Sequence, residues 1–222
     1  LRLGALSPVE RVYAMMVGPH GDVVPFMPLQ YHDHAMFVAQ VPARKYYWDA
    51  ELLVSTQLAV ARWYGFDSDN IAADFYNPEI EALGAKMIYS DNAMPTVDST
   101  QPLIREPADL DRLSPLDPSK GRIPVAVELA RLATLRGRGP FVGGVFCGVF
   151  SFICQAMGYA RAVRALRRDR AFAQALFDYA ENPAIFAYDT IWEPAGWVFT
   201  GLVSSGHGWR EPTPYRQRWD AD

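Results

Sequence analysis

The residues of this chain that carry chemistry sit in a few short stretches. His32 and His34 flank Asp33. Two imidazoles at i and i+2 project to one side of an extended segment, where they line a cleft or supply two ligands to a metal. Two ligands do not complete a metal site, so lining a substrate or cofactor cleft is the preferred of these two roles. Cys147 and Cys154 lie in one apolar run, with no activating base nearby in sequence, and read as small buried hydrophobes. Arg161, Arg164, Arg167, Arg168 and Arg170 alternate with Ala162, Val163, Ala165 and Leu166. That pattern meets a phosphate or an acidic partner, but it is more commonly a solvated helix face.

The bulk composition limits what such residues can serve. The chain has 222 residues, 50% hydrophobic, with 25 acidic against 21 basic side chains and a net charge of -4. Disorder is excluded, and no overall field draws the molecule to nucleic acid or an anionic membrane. Small molecules or proteins are the expected partners, and the sparse cysteines fit a reducing cytoplasm. From Pro140 to Ala160 no charged residue occurs, a length that permits a membrane span. Four glycines, Ser151, Gln155 and arginines on both flanks argue instead for a buried parallel strand, Phe141 to Phe146, a tight turn at Gly148 and a helix beginning near Ser151.

Several elements would position these groups. Ser7-Pro8-Val9-Glu10 has capping-box spacing, which predicts a short helix to Met16. Val23 to Leu29 reads as an apolar strand, followed by a helix from Glu51 to Tyr64 entered after Asp49 and closed by Gly65, with Leu52, Leu53, Thr56, Val60 and Trp63 on one face. Ser68 to Phe75 is a second strand, then an acidic helical turn from Glu79 to Leu83 ended by Gly84. Lys86 to Tyr89 is a third strand. A helix from Arg122 to Arg136 follows Gly121, with Val125, Leu129, Leu132 and Leu135 turned inward. Strands alternating with helices imply βαβ units, a parallel sheet and the α/β class, with ligands bound beyond the strands' carboxyl ends.

The segments Tyr46-Tyr47-Trp48-Asp49 to Phe66-Asp67, Ile80-Glu81-Ala82-Leu83-Gly84-Ala85, Met94-Pro95-Thr96-Val97, Asp109 to Leu113, and Phe141-Val142-Gly143-Gly144 with Gly148 to Phe152 occur in this order. Together they resemble the uroporphyrinogen decarboxylase superfamily over about Val9 to Tyr179. The resemblance implies a TIM (β/α)8 barrel, here cut to its first half, with residues 1–180 forming the partial barrel and 181–222 a divergent tail rich in Trp, Gly and Pro.

The resemblance also implies roles for particular residues. Asp74 falls where the decarboxylases carry the aspartate that faces the substrate's pyrrole nitrogens, and a carboxylate there stabilises a developing cation or accepts from a substrate N–H. Taken without the resemblance, Asp74 is better read as a turn or cap residue before Asn77-Pro78. The two arginines that hold substrate carboxylates in the decarboxylases are replaced by Gln30-Tyr31-His32-Asp33-His34. That difference and Phe150-Ser151-Phe152 point to the corrinoid-dependent methyltransferase branch, with Gln30, His32, His34 and Tyr76 beside Asp74 on the substrate. The implied substrate is methylcobalamin, as a free tetrapyrrole or on a corrinoid protein, with a thiol as acceptor. The zinc of that branch comes from a His-x-Cys pair and a later Cys, and no such stretch occurs here; His207 stands between Gly206 and Gly208. Uroporphyrinogen decarboxylation and a non-catalytic half-barrel binding module are the alternatives. A half barrel exposes its inner face, so a homodimer is expected in preference to closure by the tail.

Overall fold

The computed structural model describes residues 6–17, 22–28, 32–74, 76–137 and 147–187, and several of its helix ends follow local capping signals. At the start of α1 (Pro8–Val17), Ser7 N–H donates to the Glu10 carboxylate at 2.7 Å and Glu10 N–H donates to Ser7 Oγ at 3.4 Å. After α2 (His32–Val38) and α3 (Ala43–Tyr46), the Asp49 carboxylate accepts from Leu52 N–H at 3.0 Å to open α4 (Ala50–Tyr64). Gly65 closes α4 at φ 71°, a left-handed conformation that glycine adopts without a Cβ clash.

Beyond α5 (Pro78–Ala82), a two-residue strand β1 (Met87–Ile88) pairs antiparallel with β2 (Thr96–Val97). The chain then runs through α6 (Pro107–Leu110), α7 (Ile123–Arg136), α8 (Val149–Met157), α9 (Tyr159–Arg168) and α10 (Arg170–Ala187). Among the described residues three apolar clusters form, two large ones and a small one of Ala35, Val60, Ala61 and Phe66. In the first, α4 packs on α2 and α7 through Leu53, Val54, Leu58, Leu129 and Leu132, with Tyr46 and Tyr47 fully buried. In the second, α8, α9 and α10 enclose Phe152, Ile153, Met157 and Leu176 against Ile80 and Ile104. Truncating any one of these leucines to alanine costs about 2–5 kcal/mol.

The sheet departs from expectation. Residues 22–28 and 68–74 carry no strand ladder, and the third expected strand is β1, paired antiparallel in a hairpin-like excursion. Pro25 and Pro28 have no N–H to give a ladder. Even so, the two segments lie side by side: Asp67 N–H donates to Phe26 O at 3.0 Å, Phe26 N–H to Asp67 at 2.8 Å, and Asn70 Nδ2 to Pro28 O at 3.3 Å. These contacts advance together along both segments, which sets them parallel. Gln57 takes the place of a neighbouring strand for Ala72. Its amide accepts from Ala72 N–H at 2.9 Å and donates to Ala72 O at 2.8 Å.

Two inward assignments also change: Trp63 is 72% exposed and Leu135 67%, and Val54, Gln57 and Ala133 are buried on those helices instead. The expected strand Phe141 to Phe146 lies outside the described residues. The helix after it starts at Val149, and Gly158 at φ 84° separates it from α9. Along α9, Ala162 and Ala165 are buried while Arg161, Arg164, Arg167 and Arg168 face solvent. No helix among the described residues is long and apolar enough to cross a membrane.

Candidate functional site

Asp74 ends the second extended segment, and its carboxylate is enclosed by donors. Oδ1 accepts from Tyr76 N–H at 3.1 Å and from Asn77 Nδ2 at 2.7 Å. Oδ2 accepts from Asn77 Nδ2 at 2.8 Å and from Arg122 Nη2 at 2.8 Å. Asn77 Nδ2 also donates to Pro95 O at 2.8 Å, which ties the turn to the loop before β2. The Asp74 side chain is 1% exposed and that of Arg122 2%.

Arg122 reaches this position because of the residue before it. Gly121 has φ 52°, and a Cβ there would lie 3.1 Å from both Ala82 N and Glu81 Cγ. Only glycine allows both the turn and the approach. The start of α7 therefore sits against α5, and Arg122 Nε donates to Glu81 Oε2 at 2.6 Å while Nη2 holds Asp74. The other Glu81 oxygen accepts from Tyr89 OH, and the guanidinium lies 5.9 Å from the Tyr89 ring centroid.

Glu79 adds a third carboxyl group to this interior. It is 4% exposed, and its Oε2 has no hydrogen-bond partner among the described residues. Burial pushes its acid constant up to about 7; the Asp74 charge adds to the rise, and the backbone amides of Glu79 and Cys147 and the Arg122 charge partly oppose it. Cys147, beside this carboxyl group, has its thiol pushed up by burial and then by the Glu79 and Asp74 charges, the opposite of an activated thiolate. One guanidinium thus pairs with Asp74 and Glu81 and only weakly offsets the burial of Glu79, which titrates near neutral pH.

The histidines separate. His32 and His34 lie on α2, not on an extended segment, so their i, i+2 spacing turns them to different sides. His32 is buried, with Nδ1 2.8 Å from Tyr47 OH, and Tyr46 OH donates to its carbonyl at 3.2 Å. Tyr47 OH also donates to Asp33, and burial, then Asp33, drives its phenol far above the ordinary value; the charge of Asp74 is felt there too. His34 is exposed and meets Tyr64 OH at 2.9 Å.

Tyr76 is 37% exposed and joins Asp74 through its backbone N–H. Gln30 lies outside the described residues. No group of three His, Cys, Asp or Glu side chains that would hold a metal gathers among the described residues. The residues that sequence reasoning missed are Arg122, Glu79, Glu81 and Asn77. Glu79 and Glu81 read only as part of an acidic helical turn. The available signal was Gly121-Arg122, a glycine followed by a cation at a helix start.

Comparison with known proteins fits this arrangement into a wider group. No curated protein matches the chain. Among solved structures, it is similar to a methyltransferase from Methanosarcina mazei at 20% identity and a TM-score of 0.67, over 86% of this chain, so the two share a fold. The chain spans 57% of that protein's length. Residues 7–188, which include every element from α1 to α10, match the family model for uroporphyrinogen decarboxylase (URO-D), and the chain belongs to that family.

Proposed function

We propose that this chain is part of a corrinoid-dependent methyltransferase of the uroporphyrinogen decarboxylase family, built as the first half of a (β/α)8 barrel and working in the cytoplasm. The observation that carries the reading is the Asp74 carboxylate, fixed by Arg122 and Asn77 at the end of an extended segment in a chain of the uroporphyrinogen decarboxylase family. A carboxylate held in this way faces a substrate N–H or a developing positive charge once one of its present donors gives way, because its side chain is 1% exposed. Arg122 pairs with it at 2.8 Å, Asn77 fixes its plane, and Tyr76 is the accessible side chain beside it. A thiol loses its proton as it accepts a methyl group, and the ionised form of Glu79, whose acid constant burial raises to about 7, is the nearby group that takes that proton up. The substrate is methylcobalamin, alone or on a corrinoid protein, with Gln30 as a further contact; His32, buried against Tyr47, and His34, on another side of α2, do not meet it together. The residues described here do not fit the zinc of the methyltransferase branch: His32 is engaged by Tyr47 and His34 faces Tyr64, so no step is assigned to a metal.

The test is binding first. This chain should bind methylcobalamin in equilibrium dialysis, and Tyr76→Ala should weaken binding at least tenfold with an unchanged melting temperature. Demethylation with a thiol should be slowed by the same variant. Absence of binding by this chain, with a full-length family member as positive control, sinks the reading.

One observation favours a second reading, a non-catalytic half-barrel binding module: the Asp74 side chain is already met by four hydrogen bonds and is 1% exposed. In that case Asp74 variants change stability alone. Both readings include a homodimer, supported by the exposed Phe26, Phe37 and Trp63 side chains and tested by sedimentation over a hundredfold dilution.

A further inference from the structure

A cleft of about 830 Å³ opens on the solvent side of the Arg122 network, between the chain entering α4 and the excursion that carries β1. Its volume is in the range of small-molecule sites. One wall is aromatic: Trp48, 47% exposed, lies with its ring 6.0 Å from that of Tyr89 at an angle of 46°. Met87 and Leu103 add apolar surface. Glu81 lines the cleft, but both its oxygens are already taken, one by Tyr89 OH and the other by Arg122, so it presents no idle acceptor to a cationic ligand.

Two cations, Lys86 and Arg105, are exposed at the same cleft. No ion pair among the described residues uses either of them. The acids that feel their charge are committed elsewhere. Asp98 accepts from Thr100 N–H, Thr100 OH and Gln101 Nε2. Asp109 accepts from Arg105 N–H, Glu106 N–H and Arg112. The two positive heads are thus left to solvent beside a half-exposed indole.

We infer that this cleft binds a flat aromatic ligand carrying one anionic group, its ring against Trp48 and Tyr89 and its anion on Lys86 and Arg105. Aromatic faces hold a ring by stacking, and a charge-assisted contact to two cations fixes the end that bears the charge. Trp48, Lys86 and Arg105 take no part in holding Asp74, and Tyr89 touches that network only through Glu81 and Arg122, so variants at the first three test this site apart from the Asp74 assignment.

Calorimetric titration of the intact chain with 1-naphthyl phosphate, 1-naphthoate, 1-naphthol and inorganic phosphate tests the inference. At least one of the two naphthyl anions should bind tenfold or more tighter than either naphthol or inorganic phosphate, and the better of them reports whether phosphate or carboxylate is preferred. The double variant Lys86→Gln/Arg105→Gln, at exposed positions and checked for an unchanged circular dichroism spectrum, should lose that tenfold advantage and keep naphthol binding. Trp48→Ala should weaken all three naphthyl compounds. Naphthyl anions that bind no tighter than naphthol, or that bind the double variant as well as the parent, overturn it.

Discussion

Two buried arginines hold the same extended segment, one at each end, and the acids around them are balanced differently. At the start, Arg11 from α1 meets Asp22 at 2.9 Å and also Asp67. Asp67 gives its second oxygen to Phe26 N–H, while Asp22 also accepts from Leu6 N–H and Val23 N–H. Every one of those carboxylate oxygens has a donor. At the far end, Arg122 from α7 meets Asp74 and Glu81, but Glu79 is buried beside them with one oxygen unmatched. A saturated pair fastens backbone to backbone. A surplus acid in the interior instead has its acid constant raised by burial to about 7, so it titrates near neutral pH, where Asp22 in the saturated pair does not.

The comparison is broken most directly at Arg122. Arg122→Ala leaves Asp74 and Glu81 buried without their cation, and stability in chemical denaturation should fall by about 3–5 kcal/mol. A loss under about 1 kcal/mol means the acids there are already neutral or hydrated, and the contrast with Arg11 disappears.

Glu79→Gln sharpens the contrast through pH. The folded-state constant of Glu79 is raised from 4.5 to about 7, so the buried acid is protonated in the folded chain and ionised in the unfolded one between these values. Its ionisation therefore favours unfolding as pH rises from about 4.5 to 7, and the penalty stays constant above that range. Relative to the parent, the glutamine variant should be up to about 3 kcal/mol more stable at pH 8 than at pH 4. Parallel stability curves for the two proteins remove the surplus acid from the account.

Asp74→Asn should cost about 2 kcal/mol, less than loss of Arg122 because Glu81 still faces the guanidinium. A turn residue alone predicts less than about 1 kcal/mol, so thermal melting of this variant measures how far Asp74 belongs to the buried pair.

The smallest effect is expected at the Arg11 end. The Arg11 guanidinium, then Leu6 N–H, hold Asp22 well below its ordinary value of 3.8, so its contribution is complete above that pH and is lost as pH falls below it. Asp22→Asn should lower the melting temperature at pH 7 less than Asp74→Asn does, and should flatten the acid limb only. A change above pH 4.5 would place the two ends of the segment in one network.

Much of this molecule is legible from local sequence because helix ends are fixed by neighbours in the chain. The Ser7/Glu10 box, the Asp49 cap and the Gly65 and Gly84 stops all occur as read, since each bond closes within four residues. The five ordered motifs likewise marked the family that residues 7–188 match. Long-range partners were not legible. Whether residues 68–74 join a ladder depends on what lies alongside, and there Gln57 from α4 supplies the bonds. Whether Glu79 faces water depends on α7 and α8 closing over a five-residue helix, which no periodicity in Pro78–Ala82 encodes. The same holds for the histidines. The sequence by itself determined their spacing, but only the fold turned that stretch into a helix and sent His32 to Tyr47 in the core and His34 to Tyr64 at the surface. Side-chain direction follows backbone conformation, and backbone conformation here was decided by packing against α4.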